Sequence, residues 1–301
     1  MKQYRIKDEE IRINIKKNLK EFYESHSHYG ATNYSILIGQ YGTNGHEVRD
    51  PTRFMVMYEG QLKKIVSMIP LGRDILDVGA GDGVLAGLLL KDAKTLTALD
   101  ISIKRIKRCA ETYGNGRFIV GDAEELPFKR ESFDCIVASE LIEHLIEPER
   151  FLLSSHHVLK KGGTLIISTP SALFYENNLI EILKDQHLHT FSLRKLKRLL
   201  KKMGFKFIDV IGIGFKLRVR IPKPLAVLPR IFYAIITRAR PKRGFIAPVS
   251  VEWNLVSNRF LNKLYIKNKA IYKKVFRFLS IIGDEFPSLA SQVVIRAERS
   301  L

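Results

Sequence analysis

The chain has 301 residues, 46% of them apolar and 27% charged, with a formal net charge of +19. That length and apolar fraction support one large domain with a sizeable elaboration and exclude global disorder. Two cysteines without CxxC spacing exclude a disulfide framework or a zinc site, no signal-type apolar run opens the chain, and no stretch reaches the ~18 apolar residues of a membrane span, so a reducing cytoplasm is the expected compartment.

Residues 8–25 place Ile11, Ile15, Leu19 and Phe22 at helical spacing. Ser25 to Pro51, rich in Gly, Asn, Tyr and His, reads as an irregular lid in which Tyr23, His26, His28, Tyr29 and Tyr34 can close over a ligand or remain ordinary surface aromatics. A helix over 55–68 ends at Pro70. From Asp74 strands and helices alternate: strands at 74–78, 95–100, 117–121, 133–139, 164–169 and 206–212, and helices at 83–92, 103–113, 141–145, 149–159 and 193–203. Such alternation implies a mostly parallel sheet covered on both faces. Residues 213–288 break the rhythm with six prolines and two expected helices, at about 227–239 and 255–282, before a last strand at 292–298. The expected organisation is an N-terminal helical region (1–58), an α/β core (59–212), a basic insertion (213–288) and a final core strand (289–301).

Asp77-Val78-Gly79-Ala80-Gly81-Asp82-Gly83 sits where the first strand gives way to a helix. Glycines there turn the backbone tightly and admit a ligand without a Cβ clash, beside the free N–H groups of a helix N-terminus. Position 84 is Val, so the GxGxxG dinucleotide fingerprint is not met. Asp100 ends the second strand, 23 residues after Asp77, where an acid can hold both hydroxyls of a ribose and Ile101 can lie on a purine face. Gly121-Asp122-Ala123 ends the third, and Phe133 to Ser139 forms the fourth. Each feature alone also reads as an ordinary strand end or strand–turn–helix connection.

Taken in order, these residues resemble the motifs of class I S-adenosylmethionine-dependent methyltransferases, over about residues 59–212 and 290–301. The resemblance implies a doubly wound, seven-stranded Rossmann-like sheet whose last strand runs antiparallel, with S-adenosylmethionine held by Asp77, Gly79, Ala80, Gly81, Gly83, Asp100, Ile101, Asp122, Ala123 and Ser139.

Glu140, Glu143 and His144 form E-x-x-E-H, and on a helix all three would share one face. The pattern resembles ubiquinone-type O-methyltransferases and small-RNA 2′-O-methyltransferases, in which a comparable cluster holds a divalent cation; two carboxylates favour a hard ion such as Mg²⁺, and imidazoles admit other metals. His144, Glu143 and His189 are equally candidates for direct proton transfer, with His187 as a further ligand or base, and a purely structural or cofactor-side role stays open.

Between Gly214 and Ser280 stand 16 Lys/Arg and one acid, Glu252, which leaves about +4 for the rest of the chain. The apolar run 225–237, followed by Arg238, Arg240, Lys242 and Arg243, suits a helix lying in an anionic membrane surface near a small or lipid-linked acceptor. The same charge suits RNA phosphates, with aromatics stacking on bases, or a solvated face on a capping subdomain. Three functions compete: O-methylation of a small or lipid-linked acceptor, methylation of RNA, and a non-catalytic protein that keeps the cofactor site.

Overall fold

The computed structural model describes residues 9–25, 61–172, 187–213, 216–220, 250–254, 290 and 292–300. The expected helices in the insertion and the 26–51 loop lie outside them. Two compact units divide the chain, one of residues 1–211 and 292–301, the other Gly212–Ser291.

In the first unit helix α1 (Glu9–Ser25) comes first. The α/β alternation then runs through β1 (Asp74–Val78), α2 (Val84–Leu89), β2 (Thr95–Asp100), α3 (Ile103–Tyr113), β3 (Arg117–Val120), β4 (Phe133–Ser139), α4 (Pro148–Val158), β5 (Leu159–Pro170), α5 (Leu193–Lys202) and β6 (Phe205–Ile213). The strand at the end of the chain, here β9 (Gln292–Arg299), completes a seven-stranded sheet of order β3-β2-β1-β4-β5-β9-β6. β1 pairs in parallel with both β2 and β4, β4 in parallel with β5, and β9 antiparallel with β5. The strand order reverses between β1 and β4, the point at which open α/β sheets leave a crevice beyond the strand ends.

β1 and β4 carry continuous buried runs, at 75–78 and 135–138, because helices cover both faces. Leu76, Val78, Ile136, Ala138, Leu165 and Ile167 meet Phe151 and Leu152 of α4 and Leu196 and Leu200 of α5, all essentially sealed from solvent. α5 turns these leucines inward and leaves Arg194, Lys195, Arg198, Lys201 and Lys202 exposed; Ser192 caps it by accepting from the Lys195 N–H at 3.2 Å. β5 begins at Leu159, five residues before the expected start. Phe133 pairs with Leu159 but Cys135 with Thr164, so the Gly162–Gly163 stretch, with Gly162 at φ +70°, is an irregularity inside the strand, not a turn ahead of it.

In the second unit β7 (Lys216–Arg220) and β8 (Ser250–Asn254) form a two-stranded antiparallel sheet, with Lys216 opposite Asn254 and Arg220 opposite Ser250. Among the described residues no helix is long and apolar enough to cross a membrane.

Candidate functional site

A cavity opens at the carboxyl ends of β1, β2, β3 and β4, lined by Gly79, Asp100, Ile101, Asp122, Ala123, Glu140 and His144 among the residues singled out from sequence. Gly79 brings the glycine turn to its lining. Gly79 and Ala80 donate their N–H groups to Leu99 O at 2.8 and 3.0 Å, which ties the turn to β2. Asp100 reinforces that tie: Oδ2 accepts from Gly81 N–H and Oδ1 from Ser102 N–H, both at 2.9 Å. Burial raises the Asp100 carboxyl pKa against these stabilising N–H groups.

The glycines serve different ends. Gly81, at φ +56°, has open space where a Cβ would stand, with Arg105 Nη1 the nearest atom at 3.9 Å. Gly83, at φ +86°, is the N-cap of α2, and a Cβ there would lie 2.2 Å from Cys109 Sγ. It lets α3 pack closely and does not line the cavity. Asp77 is 2% exposed behind the turn. Its Oδ2 has no hydrogen-bond partner, and burial, with the Asp100 charge beside it, pushes its pKa up to about 7.

The far wall is built on the turn after β3. Asp122 caps the short 3₁₀ turn Ala123–Glu125, its Oδ1 accepting from Glu124 N–H at 2.8 Å. Glu124, which sequence reasoning passed over, is buried; its Oε1 accepts the N–H groups of Ile146 and Glu147 at 2.8 and 3.0 Å and so holds the loop after β4. Lys16 of α1 pairs with Asp122 and, at 3.1 Å, with Glu124.

The E-x-x-E-H segment departs from the expected helix face. Glu140 adopts φ +52° and Ile142–His144 is a single 3₁₀ turn, so the 3.6-residue spacing does not apply. Glu140 Oε1 accepts from Gln61 Nε2 and Ser168 Oγ, each at 2.9 Å, and Oε2 from Gln292 Nε2 at 3.0 Å. Burial lifts its pKa to about 7 against these bonds. The group whose ligand atoms lie within 4.8 Å of one another is instead Glu143, His144 and His187. Glu143 is 1% exposed, with Oε2 on Thr169 Oγ1 at 2.9 Å and Oε1 without a hydrogen-bond partner. Burial and the Glu140 charge drive its pKa well up. Burial pushes His187 down to about 4, which keeps its imidazole neutral, the form a metal ligand needs. His189 stands apart from the cavity lining: Nε2 lies 3.2 Å from Ile146 O and its backbone N–H donates to Glu143 O at 2.9 Å, so it braces the loop. Ser139 Oγ is 3.0 Å from Ser168 Oγ and likewise lies outside the lining.

Residues 76–167 match the family described as "Methyltransferase domain". A ubiquinone biosynthesis O-methyltransferase of Coxiella burnetii is 31% identical over 173 residues, 52% of this chain and 73% of its own length. A "Probable S-adenosylmethionine-dependent methyltransferase" of Mycolicibacterium smegmatis is 29% identical over 142 residues, 47% of this chain; the match spans about half of that relative, 55% of its length. Among solved structures the [4+2]-cyclase SpnF has a TM-score of 0.56 at 15% identity, over 94% of this chain and 95% of its own. At that identity the likeness speaks for the fold alone, and a cyclase on the same fold shows that the sheet does not dictate the reaction. With its strands wound in this order around a glycine turn, and with that identity to an O-methyltransferase, the chain belongs to the S-adenosylmethionine-dependent methyltransferase family.

Proposed function

We propose that the chain methylates an oxygen of a small or lipid-linked acceptor, with S-adenosylmethionine as donor. The observation that carries this reading is the acid-lined cavity at the β1–β4 switch point, which brings Asp100 and Asp122 together with His144. The residues fit the cofactor. Asp77 Oδ2 is a buried carboxylate oxygen without a partner, suited to an amine, and Gly81 presents open space at a left-handed backbone. Asp100 would hold the ribose hydroxyls through the second lone pairs of its oxygens, Ile101 would lie on the adenine, and Asp122 would accept from the adenine amine.

Bound S-adenosylmethionine supplies a methyl group already activated by its sulfonium. What the chain must add is alignment, exclusion of water and removal of the acceptor proton. His144 Nδ1 or Nε2 would take that proton, with the Glu143 carboxyl group within 4.8 Å to orient the ring. Glu143, His144 and His187 also offer a divalent cation one carboxylate and two imidazoles, a set that suits a borderline ion better than the Mg²⁺ expected from two carboxylates, and such an ion would acidify a coordinated hydroxyl. The likeness to a ubiquinone biosynthesis O-methyltransferase supports oxygen as the acceptor atom. The 16 cations against one acid in 214–280 support a cytoplasmic enzyme docked on an anionic membrane surface. The same charge supports the RNA reading, which the E-x-x-E-H likeness also favours.

Calorimetric titration of S-adenosylmethionine and S-adenosylhomocysteine, with and without Mg²⁺, tests the proposal. Micromolar binding of both, weakened at least about tenfold by Asp100→Ala, is expected from the loss of hydrogen bonds to a charged group. Well-folded protein that binds neither would overturn it.

A further inference from the structure

An ionised carboxylate such as Asp100 only accepts hydrogen bonds. Each hydroxyl of the ribose assigned to it both donates and accepts, so a full site needs a donor beside that carboxylate. The nearby backbone has little left to give. The N–H groups of Gly79 and Ala80 are spent on Leu99 O, that of Gly83 on Ala80 O, and those of Gly81 and Ser102 on Asp100 itself. Among the described residues two lysine or arginine side chains line the cavity, Lys16 and Arg105. Lys16 is committed to Asp122 and Glu124. Arg105, in the first turn of α3, has no such commitment.

The Arg105 guanidinium carbon lies 5.1 Å from the centre of the Tyr23 ring, a cation–π contact that steadies the group. Its Nε is buried without a hydrogen-bond partner, and among the described residues no ion pair holds it. Arg108, three residues on, differs: its Nε donates to Asp82 Oδ1 at 2.9 Å and ties α3 to the glycine turn. Arg105 Nη1 is the nearest atom, at 3.9 Å, to the point where a Cβ would stand on Gly81, whose N–H is bound to Asp100. The guanidinium and the turn therefore flank one open space beside Asp100. The positive charge also favours the ionised form of Asp100 against the effect of burial. We propose that Arg105 is the donor half of the ribose site, its guanidinium donating to the hydroxyl oxygens whose protons Asp100 accepts. Held by an acceptor and a donor together, the ribose fixes where the arm bearing the sulfonium begins. This inference rests on the reading of the cavity as the cofactor site.

Calorimetric titration of the full chain with three ligands tests it: S-adenosylhomocysteine, its 2′,3′-dideoxy form, and 5′-methylthioadenosine, which keeps the ribose but lacks the amino-acid end. Arg105→Met is expected to weaken S-adenosylhomocysteine and 5′-methylthioadenosine alike, by about tenfold or more, as for lost hydrogen bonds from a charged group. The dideoxy form should bind the unaltered chain weakly and lose nothing further in the variant. Arg105→Lys keeps the charge but not the planar fork of donors, so it should recover only part of the affinity, and it carries the test if Arg105→Met does not fold. Equal weakening of the dideoxy form and its parent would show that Arg105 supports the fold or another part of the ligand, and would sink the assignment. Weakened S-adenosylhomocysteine with unchanged 5′-methylthioadenosine would move the guanidinium to the amino-acid carboxylate and overturn the ribose contact. Unchanged affinity for all three would take Arg105 out of the site while leaving the cofactor reading intact. Failure of the unaltered chain to bind S-adenosylhomocysteine would remove the cofactor reading itself, and this contact with it.

Discussion

A Cβ added at Gly83 would come within 2.2 Å of Cys109 Sγ, whereas one at Gly81 would meet nothing nearer than Arg105 Nη1 at 3.9 Å. The same alanine substitution should therefore separate packing from binding. Gly83→Ala is expected to cost about 1–3 kcal/mol of stability from overpacking and about 1–2 kcal/mol more from its left-handed backbone, read as a lower denaturant midpoint. Gly81→Ala carries only the backbone cost and should keep the fold while cofactor affinity falls. Equal loss of stability in the two variants would contradict this division. Asp77 makes a second residue-scale prediction. Burial holds its folded pKa at about 7, above the ~3.9 of an unfolded Asp. The folded chain binds that proton more tightly, so the contribution favours folding at low pH and is lost as pH rises from about 4 through about 7. His187, lowered to about 4, works in the opposite sense, so the variant must be compared with its parent at each pH. The Tm of cofactor-free Asp77→Asn relative to the unaltered chain is expected to rise between pH 5 and pH 8, and a flat difference would refute the assignment.

At the scale of elements, Ser192 heads a helix of six cations and four leucines, and its hydroxyl takes up one of the N–H groups free in the first turn. Ser192→Ala should lower stability by about 1 kcal/mol, measured by urea unfolding, without moving cofactor affinity. The limits of β1, β2, α3 and β4 were legible in the sequence because apolar runs end there at Asp, Ser or Gly, residues that stop a strand or cap a helix. The site was legible where it follows the strand ends, as at Asp100, Ile101, Asp122 and Ala123. It was not legible where backbone departs from a regular period. The spacing of Glu140, Glu143 and His144 suggested one helix face, but a left-handed Glu140 and a 3₁₀ turn send the two carboxylates to different partners. Gln61 and Gln292 reach Glu140 across 79 and 152 residues, and no local pattern announces such a contact. Lys16 carries no signal in the sequence either, because its pairing with Asp122 spans 106 residues.

At the scale of the whole molecule, the excess charge belongs to one segment: +15 of the net +19 falls between residues 214 and 280. If that segment docks on membranes, the full chain should float with vesicles rich in phosphatidylserine, release at high salt, and fail to float when 225–243 is made polar. Flotation that survives the polar replacement would count against the docking reading, and salt-sensitive retention of RNA without flotation would favour nucleic acid. The sheet has its own whole-chain consequence. β9, the last of its seven strands to be translated, lies between β5 and β6, and Arg299 at its end meets Glu131 at 3.2 Å. Until residues 292–299 leave the ribosome, β5 lacks a neighbour on one edge, β6 has none at all in this sheet, and Glu140 is without Gln292. A nascent chain is thus a five-stranded platform with an open edge and an orphaned sixth strand, a template for wrong pairing. Synthesis reaches a working site only with the closing strand, so a message cut short anywhere upstream yields prey for proteases and chaperones, not an enzyme of reduced activity.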